Sequence, residues 1–152
     1  MDFYLVRHGE AFSESQDSRR PLSPSGRQAV ERVGRLAAAR NIQPSTIFHS
    51  GILRAQQTAE ILADCFSPSL TVQTMSGLLP EDDPFIAKAE LDAARTSVVL
   101  VGHLPHMNRL GGLLLHGDAE RRAVDFLPAM MACFSRDGRI WRILWELSPH
   151  SA

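Results

Sequence analysis

The chain has 152 residues, enough to bury one hydrophobic core and too few for two domains of ordinary size, so a single domain over 1–152 is expected. Hydrophobic residues make up 44% and charged residues 22%, which excludes a disordered or fibrous chain. The formal net charge of −1 supplies no global field to draw the chain onto nucleic acid or an anionic membrane, so any anion site has to be local. No apolar run reaches the roughly 20 residues of a membrane span. The apolar stretch between Asp2 and Arg7 is too short for a signal peptide, and a cytoplasmic location is expected. Cys65 falls in a helical pattern and Cys133 in a strand pattern; with no metal-ligand spacing they read as reduced core residues.

Phe3-Tyr4-Leu5-Val6 is a continuous apolar run closed by Arg7-His8-Gly9, as expected of a buried strand feeding a loop. Residues 11–20 are polar and aperiodic. Ser23-Pro24 then supplies an N-cap followed by proline at the first helical position, predicting a helix from Pro24 to about Arg40 that buries Val30, Val33, Leu36 and Ala37 and stops at Asn41. Thr46 to His49 is a second strand. Ser50 is read as the cap of a second helix, with Leu62, Cys65 and Phe66 at helical spacing and Ser67-Pro68 as its end. Leu70 to Thr74 reads as an edge strand. Asp83-Pro84 repeats the cap-plus-proline start for a helix to about Arg95, and Ser97 to Val101 is a strand expected to lie centrally. A helix through Leu110, Leu113 and Leu114 follows, and Met131 to Arg136 and Arg139 to Leu147 close the chain as a hairpin around Asp137-Gly138. The fold class this implies is α/β: a three-layer sandwich with a mostly parallel central sheet, helices on both faces and a C-terminal antiparallel hairpin.

Arg7-His8-Gly9, Ser50 to Arg54 and Gly102-His103 all fall at strand C-termini, the edge of a parallel sheet where loops and helix starts face ligands. Each has an ordinary reading of its own. Arg7-His8-Gly9 is also a polar strand exit with a turn glycine, and His103 a buried histidine bonded to backbone. Arg54 is also a solvated residue of a first helical turn, although a cation there opposes the helix dipole and so invites a bound anion. It is their coincidence at one edge that suggests an anion pocket built from two arginines and two histidines.

Leu5-Val6-Arg7-His8-Gly9-Glu10, the segment Arg20 to Arg27, the block Ser50 to Ala59 and Val101-Gly102-His103-Leu104-Pro105 together resemble the histidine phosphatase superfamily, and most of all its short SixA-like branch. The resemblance implies His8 as nucleophile, with Arg7, Arg54 and His103 binding the phosphoryl oxygens. Arg20 is a further candidate cation, or else an exposed loop arginine. Gly9 is expected where backbone nears the phosphoryl group, or in an ordinary turn. A neutral imidazole is a competent nucleophile near neutrality, and two guanidiniums with an imidazolium can compensate the oxygens without a metal or other cofactor.

Larger relatives use an acidic residue to protonate the leaving oxygen, and no motif fixes one here. Glu81, Asp82 and Asp83 share a loop, but Asp83 is accounted for as a helix cap. The expected activity is thus a phosphohistidine phosphatase acting on a phosphorylated protein. A small-metabolite phosphomonoesterase, a mutase and a non-catalytic phosphate-binding module stand as alternatives. A metal site on His103 and His106 is disfavoured by the intervening Leu104-Pro105 and the lack of an accompanying carboxylate. The sequence leaves the oligomeric state open.

Overall fold

A strand buried on both faces needs neighbours on both edges, and Val98-Val99-Leu100-Val101 is such a strand. The computed structural model describes residues 1–152. Its elements run β1 (Asp2–Arg7), α1 (Pro24–Ala38), β2 (Thr46–His49), α2 (Leu53–Phe66), β3 (Thr71–Thr74), α3 (Pro84–Ala93), β4 (Val98–Gly102), α4 (His106–His116), β5 (Met131–Asp137) and β6 (Ile140–Leu147). They form one sheet in the order β3-β2-β4-β1-β5-β6, with the first four strands parallel and β5 and β6 antiparallel. β4 is central, as its uninterrupted apolar run requires.

Alternation of side chains across the sheet divides the core in two. Phe3, Leu5, Leu100 and Phe134 point to one face and pack with Ala87 and Leu91 of α3 and Met107, Leu110 and Leu114 of α4. Tyr4, Val6, Val99, Val101 and Cys133 point to the other, under Val30, Val33 and Ala37 of α1 and Ala55, Ala59 and Leu62 of α2. The result is the expected three-layer arrangement.

Local chemistry sets the element ends. Ser23 Oγ accepts the Gly26 N–H and Pro24 opens α1; Asp83 accepts the Phe85 N–H ahead of Pro84 in α3. α1 ends at Ala38, and Asn41 takes a left-handed φ of 58° just beyond it. The hairpin loop is Gly138-Arg139, since Asp137 pairs with Ile140, and Gly138 carries the positive φ of 61°. Ser50 departs from its expected place. α2 begins at Leu53 after an extended Ile52 with no side-chain cap, and the Ser50 hydroxyl is turned to His103 instead.

β1 is connected onward past β4 to β2, while β4 is connected onward past β1 to β5. The two adjacent strands thus send their connections in opposite senses, which opens a crevice at their C-terminal ends.

Candidate active site

Register builds the site at that crevice. Arg7 pairs with Gly102 across β1 and β4, so the residues that follow, His8 and His103, leave the sheet side by side with ring centroids 4.9 Å apart. His49 pairs with Val101 across β2 and β4, which brings Ser50 to 2.7 Å from His103 Nε2. Arg54 enters from the first turn of α2.

His8 is held by its own neighbourhood. Its backbone N–H donates to the Gly102 carbonyl at 3.0 Å, and ring Nδ1 lies 2.7 Å from the Gly9 carbonyl. A carbonyl only accepts, so Nδ1 carries the proton and the neutral ring keeps its lone pair on Nε2. Burial, opposed by that carbonyl and reinforced by the charges of Arg54, Arg7 and Arg20, pushes the His8 pKa down to about 4. Burial and the neighbouring His8, Arg54 and His106 push His103 to about 3. In the substrate-free protein His103 therefore stands neutral, and the charge of a phosphoryl dianion is what would draw onto it the proton of the expected imidazolium.

Arg7 Nη1 donates to the Phe126 carbonyl at 2.9 Å, which fixes the guanidinium while tying down the connection from α4 to β5. The Ala129 N–H is shared between the Arg7 and His8 carbonyls, fastening the same connection to the nucleophile loop. Arg20 holds a left-handed φ of 49°, unusual for a side-chain-bearing residue, and its Nε donates to the Phe12 carbonyl. It stands near enough that its charge lowers the pKa of both His8 and Arg54. Arg7 Nε, Arg54 Nε and His103 Nδ1 are buried without hydrogen-bond partners, at a cost of about 1–3 kcal/mol for each such group. The guanidiniums of Arg7, Arg54 and Arg20, whose charges all bear on His8, are the complement of an oxyanion.

Gly9 has tasks other than contacting a phosphoryl group. Its N–H donates to Thr58 Oγ1 at 3.1 Å and its carbonyl orients His8. A Cβ there would come 2.7 Å from Val30 Cγ2 of α1, so packing is what demands glycine. Thr58 in turn donates to the Arg54 carbonyl at 2.8 Å, and Gln57 Oε1 accepts the Leu22 N–H at 2.8 Å beside the Arg20 segment. Arg54, Gln57 and Thr58 are spaced i, i+3, i+4, so one face of α2 binds both loops of the site. Sequence reasoning passed over Gln57 and Thr58, although that spacing from Arg54 was a usable signal.

Of the three loop carboxylates, Asp83 caps α3 and Asp82 accepts the Leu79 N–H at 2.9 Å, while Glu81 is exposed. Asp82 bears electrostatically on His106, one turn from His103; the charges that shift His8 are all cationic. No cluster of three or more His, Cys, Asp or Glu side chains is arranged to hold a metal ion, and no helix is long and apolar enough to cross a membrane.

The depressed imidazoles of His8 and His103 make the fold acid-sensitive. An unfolded histidine takes up a proton near the usual 6.5, whereas the folded rings resist until about 4 and about 3. Their contribution to stability is therefore complete above about pH 6.5 and is lost as pH falls through the folded values. Denaturation midpoints measured from about pH 7 to about pH 4 should fall less steeply in His8→Ala than in the native chain; parallel slopes would contradict the assigned burial.

Known proteins resemble the chain in sequence and in fold. The profile of the histidine phosphatase superfamily, branch 1, matches residues 3–79. The phosphohistidine phosphatase SixA of Escherichia coli is 28% identical over 154 residues, covering 98% of this chain and 94% of that protein. An uncharacterised protein of Picosynechococcus sp. is 32% identical over 125 residues, covering 77% of this chain and 74% of the other. The solved structure of the protein histidine phosphatase SixA complexed with tungstate matches with a TM-score of 0.86 at 27% identity, over 98% of this chain and 97% of that one. The chain belongs to the histidine phosphatase superfamily and is an enzyme of that class. Within the superfamily it is SixA-like.

Proposed function

We propose that the protein hydrolyses phosphohistidine on another protein, through a phosphoryl group carried transiently on His8. The observation that carries the reading is the His8 ring: Nδ1–H is committed to the Gly9 carbonyl, which leaves the lone pair on Nε2, and burial with the charges of Arg54, Arg7 and Arg20 keeps the ring neutral. The Nε2 lone pair attacks phosphorus, and the bond from phosphorus to the substrate nitrogen breaks. Arg7, Arg54 and Arg20 compensate the equatorial oxygens, and His103 joins them as the dianion draws a proton onto its ring. The phosphorylated His8 ring bears a positive charge that the Gly9 carbonyl steadies. Water then attacks phosphorus, its protons leave with the phosphate, and Nε2 regains its lone pair.

Similarity to SixA supports the phosphohistidine reading, and so does the cationic surround of His8. Imidazole departs neutral when its distal nitrogen reacts protonated, whereas an alkoxide needs a proton in the transition state, worth roughly 10²–10⁴-fold. A turnover panel of phosphohistidine peptide, phosphoserine peptide, sugar phosphates and an aryl phosphate should show kcat/KM highest for the phosphohistidine peptide. Asp82→Asn, Asp83→Asn and Glu81→Gln should leave that order unchanged. Equal rates on alkyl esters, or selective loss of ester hydrolysis in one variant, would favour the metabolite phosphatase reading instead.

A further inference from the structure

The hydrogen bond between Ser50 and His103 has a consequence for the proton on His103. Ser50 Oγ accepts the Ile52 N–H at 3.2 Å and lies 2.7 Å from His103 Nε2. A hydroxyl has one proton and two lone pairs, so one lone pair is taken by Ile52 and the proton and second lone pair face the ring. Nε2 is thereby committed to Ser50. Nδ1 has no hydrogen-bond partner and no accessible surface in the substrate-free protein, so a phosphoryl oxygen reaches it only when the side chains that cover it give way. Such an oxygen is an acceptor, so Nδ1 is useful there only when it carries a proton. A neutral imidazole can hold its proton on either nitrogen, and the partner of one nitrogen decides the other.

We propose that Ser50 is a positioning residue that fixes the tautomer of His103, donating its hydroxyl proton to Nε2 so that Nδ1–H is presented to the transferring phosphoryl group. The proposal rests on the phosphoryl-transfer reading above for its purpose, though not for its geometry. When the dianion draws a second proton onto the ring, the hydroxyl rotates and its second lone pair accepts from Nε2–H. The same bond thus serves both charge states. Alanine can do neither, and threonine can do both. The arrangement also explains why Ser50 leaves α2 uncapped: its hydroxyl is engaged across the sheet by a residue 53 positions away.

The test is nitrogen NMR of the His103 imidazole in the labelled, substrate-free protein near pH 7, with His103→Gln used to assign the signals. The native protein should show Nδ1 protonated and Nε2 bare. In Ser50→Ala the proton should shift toward Nε2, and kcat/KM on phosphohistidine peptide should fall about 10–100-fold, the usual scale for losing a group that orients a functional imidazole. Ser50→Thr should restore both the tautomer and most of the rate. A native ring protonated on Nε2, or a Ser50→Ala protein with unchanged tautomer or undiminished kcat/KM, overturns the proposal. Should Ser50→Ala fail to fold, the native tautomer and the Ser50→Thr rate decide the matter. Full turnover in His8→Ala would discredit the covalent intermediate on His8 and leave the tautomer result standing, so the two failures are distinct.

Discussion

Replacing His8 by alanine is expected to abolish turnover while the fold is retained. The side chain sits where β1 leaves the sheet, outside both halves of the core, and the backbone N–H that joins this residue to the Gly102 carbonyl survives the substitution. No second group can take its place. His103 has Nε2 committed to Ser50, so that nitrogen is not free to attack phosphorus. Loss of the covalent step leaves only direct attack by water among the cations, so the rate of phosphate release from a phosphohistidine peptide should drop to background. A far-ultraviolet dichroism spectrum and a thermal midpoint close to native would show that chemistry, rather than folding, was lost. Measurable turnover at a substantial fraction of the native rate would contradict the assignment.

The arginine clamp should show the next largest effect. Arg54→Ala should lower kcat/KM by about a thousandfold or more, on the scale of arginines that stabilise a transferring phosphoryl group. Arg54→Lys should recover little of this. A lysine ammonium is a point charge on a flexible stem and cannot present the planar pair of donors that matches two phosphoryl oxygens. Arg7 makes the contrast sharper still: one of its nitrogens is already spent on the Phe126 carbonyl, so only a branched guanidinium can hold that carbonyl and also reach the phosphoryl group. Arg7→Lys should therefore lose both rate and some thermal stability, whereas Arg54→Lys should lose rate alone. Near-native kcat/KM in Arg54→Lys would remove the clamp from the account.

Much of this was legible in the amino-acid sequence because it is local. The proline starts of α1 and α3, the apolar run of β4 and the Gly138 turn each follow from chemistry within a few residues. The convergence of His8, Arg54 and His103 was legible too, since strand exits in a parallel sheet share an edge. What stayed hidden depends on partners distant in the chain. The Ser50 hydroxyl had two competing uses, a local helix cap and a bond to His103, and only the β2–β4 register decides between them. The low basicity of His103 in the substrate-free protein stayed hidden for a related reason, because burial and the surrounding cations cannot be summed from a motif. Two contacts of Gly9 were hidden likewise, because the closeness of Val30 in α1 and the bond from its N–H to Thr58 lie outside the motif.

The central claim is that the phosphoryl group passes through His8. Native protein mixed briefly with phosphohistidine peptide labelled in the phosphoryl group, then quenched and digested, should yield label on the peptide containing His8. That label should be stable in alkali and released by acid, as expected of a phosphorus–nitrogen bond, and it should be missing from His8→Ala. Label that survives acid, or that resides on a peptide without His8, would contradict the account.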